Sequence, residues 1–215
     1  MTRQRALAAL AILALWLLAL AAPVTAAGPP FPEPVTDQAV YDEAGIFSEG
    51  AIDEAEATID AIEQRTGAEV VVYTQPVDYG VTTEETRDRA LYLIRQWGIG
   101  RRGFDDGMVI FFDIDPSGEH GQVQLYAAPG FEAAYLTNSE RQAIYENDML
   151  PFLRAADFDG ALRVALDRVD AAATPEHAAQ LQTGRQINAV IGLIGAPIVF
   201  FALAGWAFLH WWRYG

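Results

Sequence analysis

Two short runs of β-branched and aromatic residues, "AEVVVYT" at 68–74 and "MVIFF" at 108–112, decide most of what this chain can become. Each has strand length and no polar alternation, the mark of a strand covered on both faces. Between them Thr82-Thr-Glu-Glu85 forms a capping box, and Ala90, Leu93, Ile94 and Trp97 recur at helical spacing until Gly98 and Gly100 end the helix. Strand, helix and strand of these lengths predict a right-handed crossover with the two strands parallel. After a loop at 115–121, the alternating segment 122–128 predicts an antiparallel hairpin partner.

Helices flank this unit. Ser48 is placed to cap one that carries Ile52, Ala55, Ile59 and Ile62 on a single face, with Glu49 and Asp53 in its first turn and Gly67 at its end. Thr137-Asn-Ser-Glu140 caps another, which Pro151 is expected to break, and a last helix over about 158–172 presents Leu162, Ala165, Leu166 and Val169. The fold class expected is α/β, a three-layer α/β/α sandwich with a small mixed sheet, plus one C-terminal transmembrane helix.

The two ends carry targeting signals. Arg3 and Arg5, an apolar run at 6–22 and the small residues after Pro23 predict a signal peptide over 1–27. A proline-rich spacer, 28–35, then leads to an α/β domain at 36–173 and a polar tether at 174–186. Residues 187–209 hold no formal charge and are long enough to span a bilayer, with Trp206, Trp211 and Trp212 suited to its interface and a short cytoplasmic tail at 210–215. The expected location is the cell membrane, single-pass, with the main domain extracytoplasmic in the cell envelope.

Residues 28–186 hold all 29 acidic residues of the chain and only 11 arginines, and the chain has no lysine and no cysteine. Disulfides and thiolate chemistry are excluded, and nucleic acid and anionic lipid surfaces are poor partners for so acidic a surface. The stretch 97–121 contains three familiar signatures. Gly98, Gly100 and Gly103 spell a dinucleotide fingerprint, but here a helix precedes the glycines and a strand follows, so no helix N-terminus awaits a pyrophosphate. Asp113 and Asp115 resemble the nucleophile and acid/base pair of haloacid-dehalogenase-type phosphatases, without the lysine that such a site needs. Asp113, Asp115, Ser117 and Gly118 begin like a calcium loop, but Gln124 stands where the bidentate glutamate belongs.

The wider pattern resembles the TPM domain family. The residues that carry the likeness are Val40-Tyr-Asp-Glu-Ala-Gly-Ile-Phe-Ser48, Gly67-Ala-Glu-Val-Val-Val-Tyr73, Trp97-Gly-Ile-Gly100, Asp105-Asp-Gly-Met-Val-Ile110, Pro129-Gly-Phe-Glu132, Pro151-Phe-Leu-Arg154 and Asp157-Phe-Asp-Gly160. They run from about Val35 to Ala173. The resemblance implies an α/β/α sandwich and, in plant members, calcium binding and acid phosphatase activity; other members look like accessory or assembly factors for membrane proteins.

If 108–112 and 122–128 pair as a hairpin, Pro129 to Glu132 returns beside Asp105-Asp106-Gly107. Asp105, Asp106 and Glu132, with Asp42 from the family's opening motif, are therefore the expected ligands of a divalent cation, Ca²⁺ first, on a loop shaped by Gly98, Gly100, Gly107 and Gly130. Arg101 and Arg102 are the candidates for contacting phosphate, and a bound cation could polarise a phosphoryl oxygen and activate water. His120, His177 and His210 offer no positioned base, so no catalytic residue is assigned. The expectation is an envelope accessory or assembly/repair factor that binds a cation and membrane-protein partners, with a metal-dependent phosphatase as the alternative.

Overall fold

The computed structural model describes residues 28–78, 80–184 and 213. The predicted signal peptide and transmembrane helix lie outside them, and among the described residues no helix is long and apolar enough to cross a membrane.

Four strands form one sheet in the order β1 (Val40–Asp42), β2 (Glu69–Pro76), β3 (Gly107–Ile114), β4 (Gly121–Ala127). The first three are parallel and β4 runs antiparallel to β3, so the parallel pairing of β2 with β3 and the hairpin are both as the sequence predicts. The short strand β1 carries no expectation from periodicity, since three residues are too few to show any.

Period-two alternation sorts the side chains to two faces. Val70, Val72, Met108, Ile110, Phe112, Val123 and Leu125 face a core closed by α1 (Glu49–Thr66) and by α6 (Phe158–Ala172). Val71, Tyr73, Val109 and Phe111 face α2 (Thr83–Trp97) through Ala90, Leu93 and Ile94. Helices thus cover both faces of a small mixed sheet. The caps are those read from the sequence: Ser48 Oγ accepts from the Ala51 N–H, the Thr82/Glu85 box is reciprocal, and Gly67 closes α1 in the left-handed region at φ 73°.

Three expectations are corrected. Residues 28–35 are no solvated spacer but a strap across the α2 side of the sheet. Phe31 is only 5% exposed and meets the rings of Tyr73 and Phe111 edge-on at 5.2 and 5.9 Å. Its N–H donates to Gln96 Oε1 and its carbonyl accepts from Gln96 Nε2, while Trp97 Nε1 donates to the Pro32 carbonyl. One helix cannot cover the whole aromatic face of the sheet, and the strap fills the remainder.

Pro151 does not break its helix. The chain stays helical through α3 (Pro129–Ala134), α4 (Asn138–Ala143), a π-helical turn (Ile144–Met149) and α5 (Leu150–Arg154), with only the 135–137 link between α3 and α4 outside helix. The Leu150 N–H reaches back five residues to the Tyr145 carbonyl, and this wider turn accommodates a residue that has no N–H of its own. Residues 175–184, read as tether, are helical, and Ala178 is buried against the main core.

Candidate functional site

The glycine loop, 98–106, joins α2 to β3 at the end of the sheet where the parallel strands begin. Gly100 and Gly107 cross so closely that a Cβ on Gly100 would lie 2.5 Å from the Gly107 nitrogen, and Gly130 is required because its Cβ would lie 1.8 Å from the Phe104 carbonyl oxygen. The Gly130 and Phe131 N–H groups donate to the Asp105 carbonyl at 2.8 and 3.1 Å. The structure therefore brings the 129–132 turn onto the loop, as the hairpin argument requires.

The side chains are arranged differently from the expected ligand set. Asp106 is fully buried, and its carboxylate accepts from the Arg101 backbone N–H at 2.9 Å, from Arg101 Nε at 2.8 Å and from Arg101 Nη2. Arg101 also lies over the Phe104 ring, 4.3 Å from its centroid, and passes so close to Gly67 that a Cβ there would clash with it. The arginine expected to contact phosphate is thus the internal counterion of a carboxylate expected to bind metal. Arg102 and Asp105 are exposed on the loop. Glu132 accepts from Arg141 Nη2 at 2.9 Å, and Arg141 is otherwise buried, donating to the Leu125 and Leu136 carbonyls.

Asp42 lies elsewhere. It is in register with Thr74, whereas Glu69 is in register with Gly107, so five residues, roughly 16 Å of strand, separate it from the glycine loop. Its carboxylate accepts from the Ile46 and Phe47 N–H groups and from the Thr74 hydroxyl at 2.6 Å, which shapes the turn into α1. Among the described residues no group of three or more Asp, Glu or His side chains is arranged to hold a metal ion. With three of the four carboxylates committed to arginines or backbone donors, the expected ligand set does not fit Ca²⁺.

Asp113, the residue that resembled a phosphatase nucleophile, is also fully buried. It accepts from Gln75 Nε2 at 2.6 Å, the Thr86 hydroxyl at 2.6 Å and Arg89 at 2.9 Å, tying β3 to β2 and to the first turns of α2. No oxygen is presented to a substrate. Asp115 belongs to the hairpin turn, where Ser117 Oγ donates to it at 2.8 Å and His120 Nδ1 lies 3.3 Å away.

What lies open on this end of the molecule is a cleft of about 480 Å³ between the strap, the last turns of α1 and the start of β2. Asp37, Asp60, Glu63 and Glu69 face it beside Val35 and Trp97. The Gly100 N–H donates to Glu69 Oε2 at 2.7 Å, linking cleft and glycine loop. Sequence reading missed the cleft because its walls come from four separate segments; only the surplus of acid over base pointed toward it.

Burial raises the Glu69 carboxyl above its ordinary value, against the opposing pull of the Gly100 N–H, with Glu63 and Asp106 adding smaller repulsions. The folded protein then holds this proton more tightly than the unfolded chain. Stability from this group is fully present below the ordinary value of 4.5 and is lost as pH rises through the raised one. Glu69→Gln keeps an acceptor for Gly100, so the variant should unfold at higher urea than the wild type at pH 7 and match it near pH 4. An advantage of equal size at both pH values would place the cause elsewhere.

The TPM domain model matches residues 40–172. Solved structures similar to this chain include the following three. The N-terminal domain of a protein from P. gingivalis is 24% identical with a TM-score of 0.54, covering 63% of this chain and 82% of that one. The N-terminal domain of a Corynebacterium glutamicum protein is 19% identical with a TM-score of 0.47, covering 72% and 89%. The BA42 protein of Bizionia argentinensis is 12% identical with a TM-score of 0.47, covering 59% and 81%. The first likeness concerns the fold. No curated protein matches the chain.

Proposed function

Because the chain belongs to the TPM domain family, we propose that it is a membrane-anchored extracytoplasmic binding domain, an accessory factor for membrane proteins, and not a hydrolase. The observation that supports this is the fate of the reactive-looking groups. Asp106 and Asp113 are fully buried on arginines and amides, while the open cleft at the start of β2 offers carboxylates and an indole but, among the described residues, no imidazole and no positioned nucleophile. The anchor rests on the uncharged run at 187–209 and the leader at 1–27.

The test is hydrolysis of p-nitrophenyl phosphate by the full chain in detergent, with calcium, magnesium or chelator. No turnover above the blank is expected under any of the three conditions. Metal-dependent turnover that falls at least tenfold in Asp105→Asn, an exposed loop position, would establish the phosphatase reading instead.

A further inference from the structure

The chain leaves the domain at a fixed place. Arg65, in the last turn of α1, donates to the Asp170 and Ala173 carbonyls and so pins the end of α6. Two residues on, α1 closes at Gly67, which lies against the Arg101 guanidinium of the glycine loop. After Ala173 the chain enters the helix at 175–184, and the start of that helix docks back on the domain. Ala178 is buried there, the His177 ring lies 6.5 Å from that of Tyr135, and His177 Nδ1 lies 2.9 Å from the Ala172 carbonyl oxygen. Tyr135 itself follows α3, the helix that packs Gly130 onto the glycine loop. The exit is therefore at the end of the sheet where the parallel strands begin.

The reach from that exit to the uncharged run is short. Gln182, Thr183 and Gly184 are all exposed, so the helix leaves the domain and does not run back along the sheet. Residues 179–184 supply about 9 Å of helical rise beyond Ala178, and the three steps from 184 to 187, where the run begins, reach at most about 10 Å. The hairpin turn at 115–121 lies at the opposite end of the sheet, beyond β3, whose length from Gly107 to Ile114 is about 23 Å. The acidic surface gives the domain no general attraction to lipid, so its orientation falls to the anchor.

We propose that the docked helix at 175–184 holds the domain with its glycine-loop end against the bilayer surface and the 115–121 hairpin turned away, so that Arg102 and Asp105, exposed on the loop, lie at the lipid headgroup layer. The proposal rests on the membrane-anchored reading above and adds which end of the domain faces the membrane. The link is too short and too firmly docked for the domain to turn over.

Because the chain has no cysteine, a single one can be introduced and labelled without a competing site. The test uses the full chain in phosphatidylcholine nanodiscs that carry a headgroup-attached quencher, with a fluorophore on Arg102→Cys or on Glu119→Cys, both exposed loop positions. The label at 102 should be quenched about threefold more strongly than the label at 119, since about 23 Å of strand separates the two loops. The difference should persist at high salt, because a tether and not a surface charge maintains it. About fifteen Gly/Ser residues inserted after Gly184 leave the domain intact, add roughly 20 Å of slack and should bring the two labels toward equal quenching. A chain that inserts but is quenched equally at both positions, or more strongly at 119, overturns the orientation and keeps the anchor. An unchanged difference after the insertion overturns the role of the docked helix. A chain that does not enter the nanodiscs removes the anchor and the proposal together.

Discussion

Replacing Arg101 by Met should cost about 3–5 kcal/mol of stability at neutral pH, the usual consequence of stranding one member of a buried ion pair. Methionine keeps the apolar stem that lies on Phe104 and beside Gly67, so little packing is lost. What is lost is the counterion of a carboxylate with no solvent exposure at all. Asp106 would keep one donor, the backbone N–H of residue 101, and that cannot replace a guanidinium fork. Urea unfolding read by circular dichroism measures the loss.

A second variant makes the result specific. The double change Arg101→Met/Asp106→Leu should recover most of the stability, since an apolar pair of similar volume removes the buried charge. A loss below about 0.5 kcal/mol in the single variant, in the range of an ordinary surface change, would mean that Arg101 is a free loop side chain after all, and would return it to the phosphate-contacting role that the sequence suggested.

Phe31→Ala is the second large effect, expected at about 3 kcal/mol, the lower end for emptying a buried phenylalanine site. The ring contacts Tyr73 and Phe111, and the two Gln96 bonds fix the backbone that delivers it. The loss stays at the lower end because the strap is near the start of the domain and can lift away locally before the rest unfolds. Trp97 reports this directly, as its indole N–H is held by the Pro32 carbonyl and residues 28–184 contain no other tryptophan. A red shift of its emission well before the main transition is expected in the variant. Equal stability of a chain beginning at Gly28 and one beginning at Val35 would show instead that the strap is dispensable.

The strap shows where sequence reading stops. "GPPFPEPV" has the composition of a spacer, and nothing in eight residues tells that Phe31 finds a slot 65 positions from its Gln96 partner. The same holds for Pro151, where helix breaking is a sound local expectation that a π turn overrides. By contrast, the caps at Ser48, Thr82 and Thr137, the end of α1 at Gly67 and the pairing of β3 with β4 were all legible, because each is decided within a few residues.

The candidate site divides along the same line. The sequence by itself determined the family pattern, the parallel crossover, the hairpin and the return of Pro129-Gly130 onto Asp105, since periodicity and turn chemistry are local and additive. Only the tertiary structure decided which carboxylates are available. Asp42 is spent on Thr74 and the turn before α1, Asp113 on Gln75 and Thr86, Asp106 on Arg101 and Glu132 on Arg141, while Asp60 and Glu63, ordinary helix-surface residues in the text, line an open cleft. The reason is physical: a charged group's chemistry depends on burial and on its counterion, and both are set by residues that chain folding brings from elsewhere.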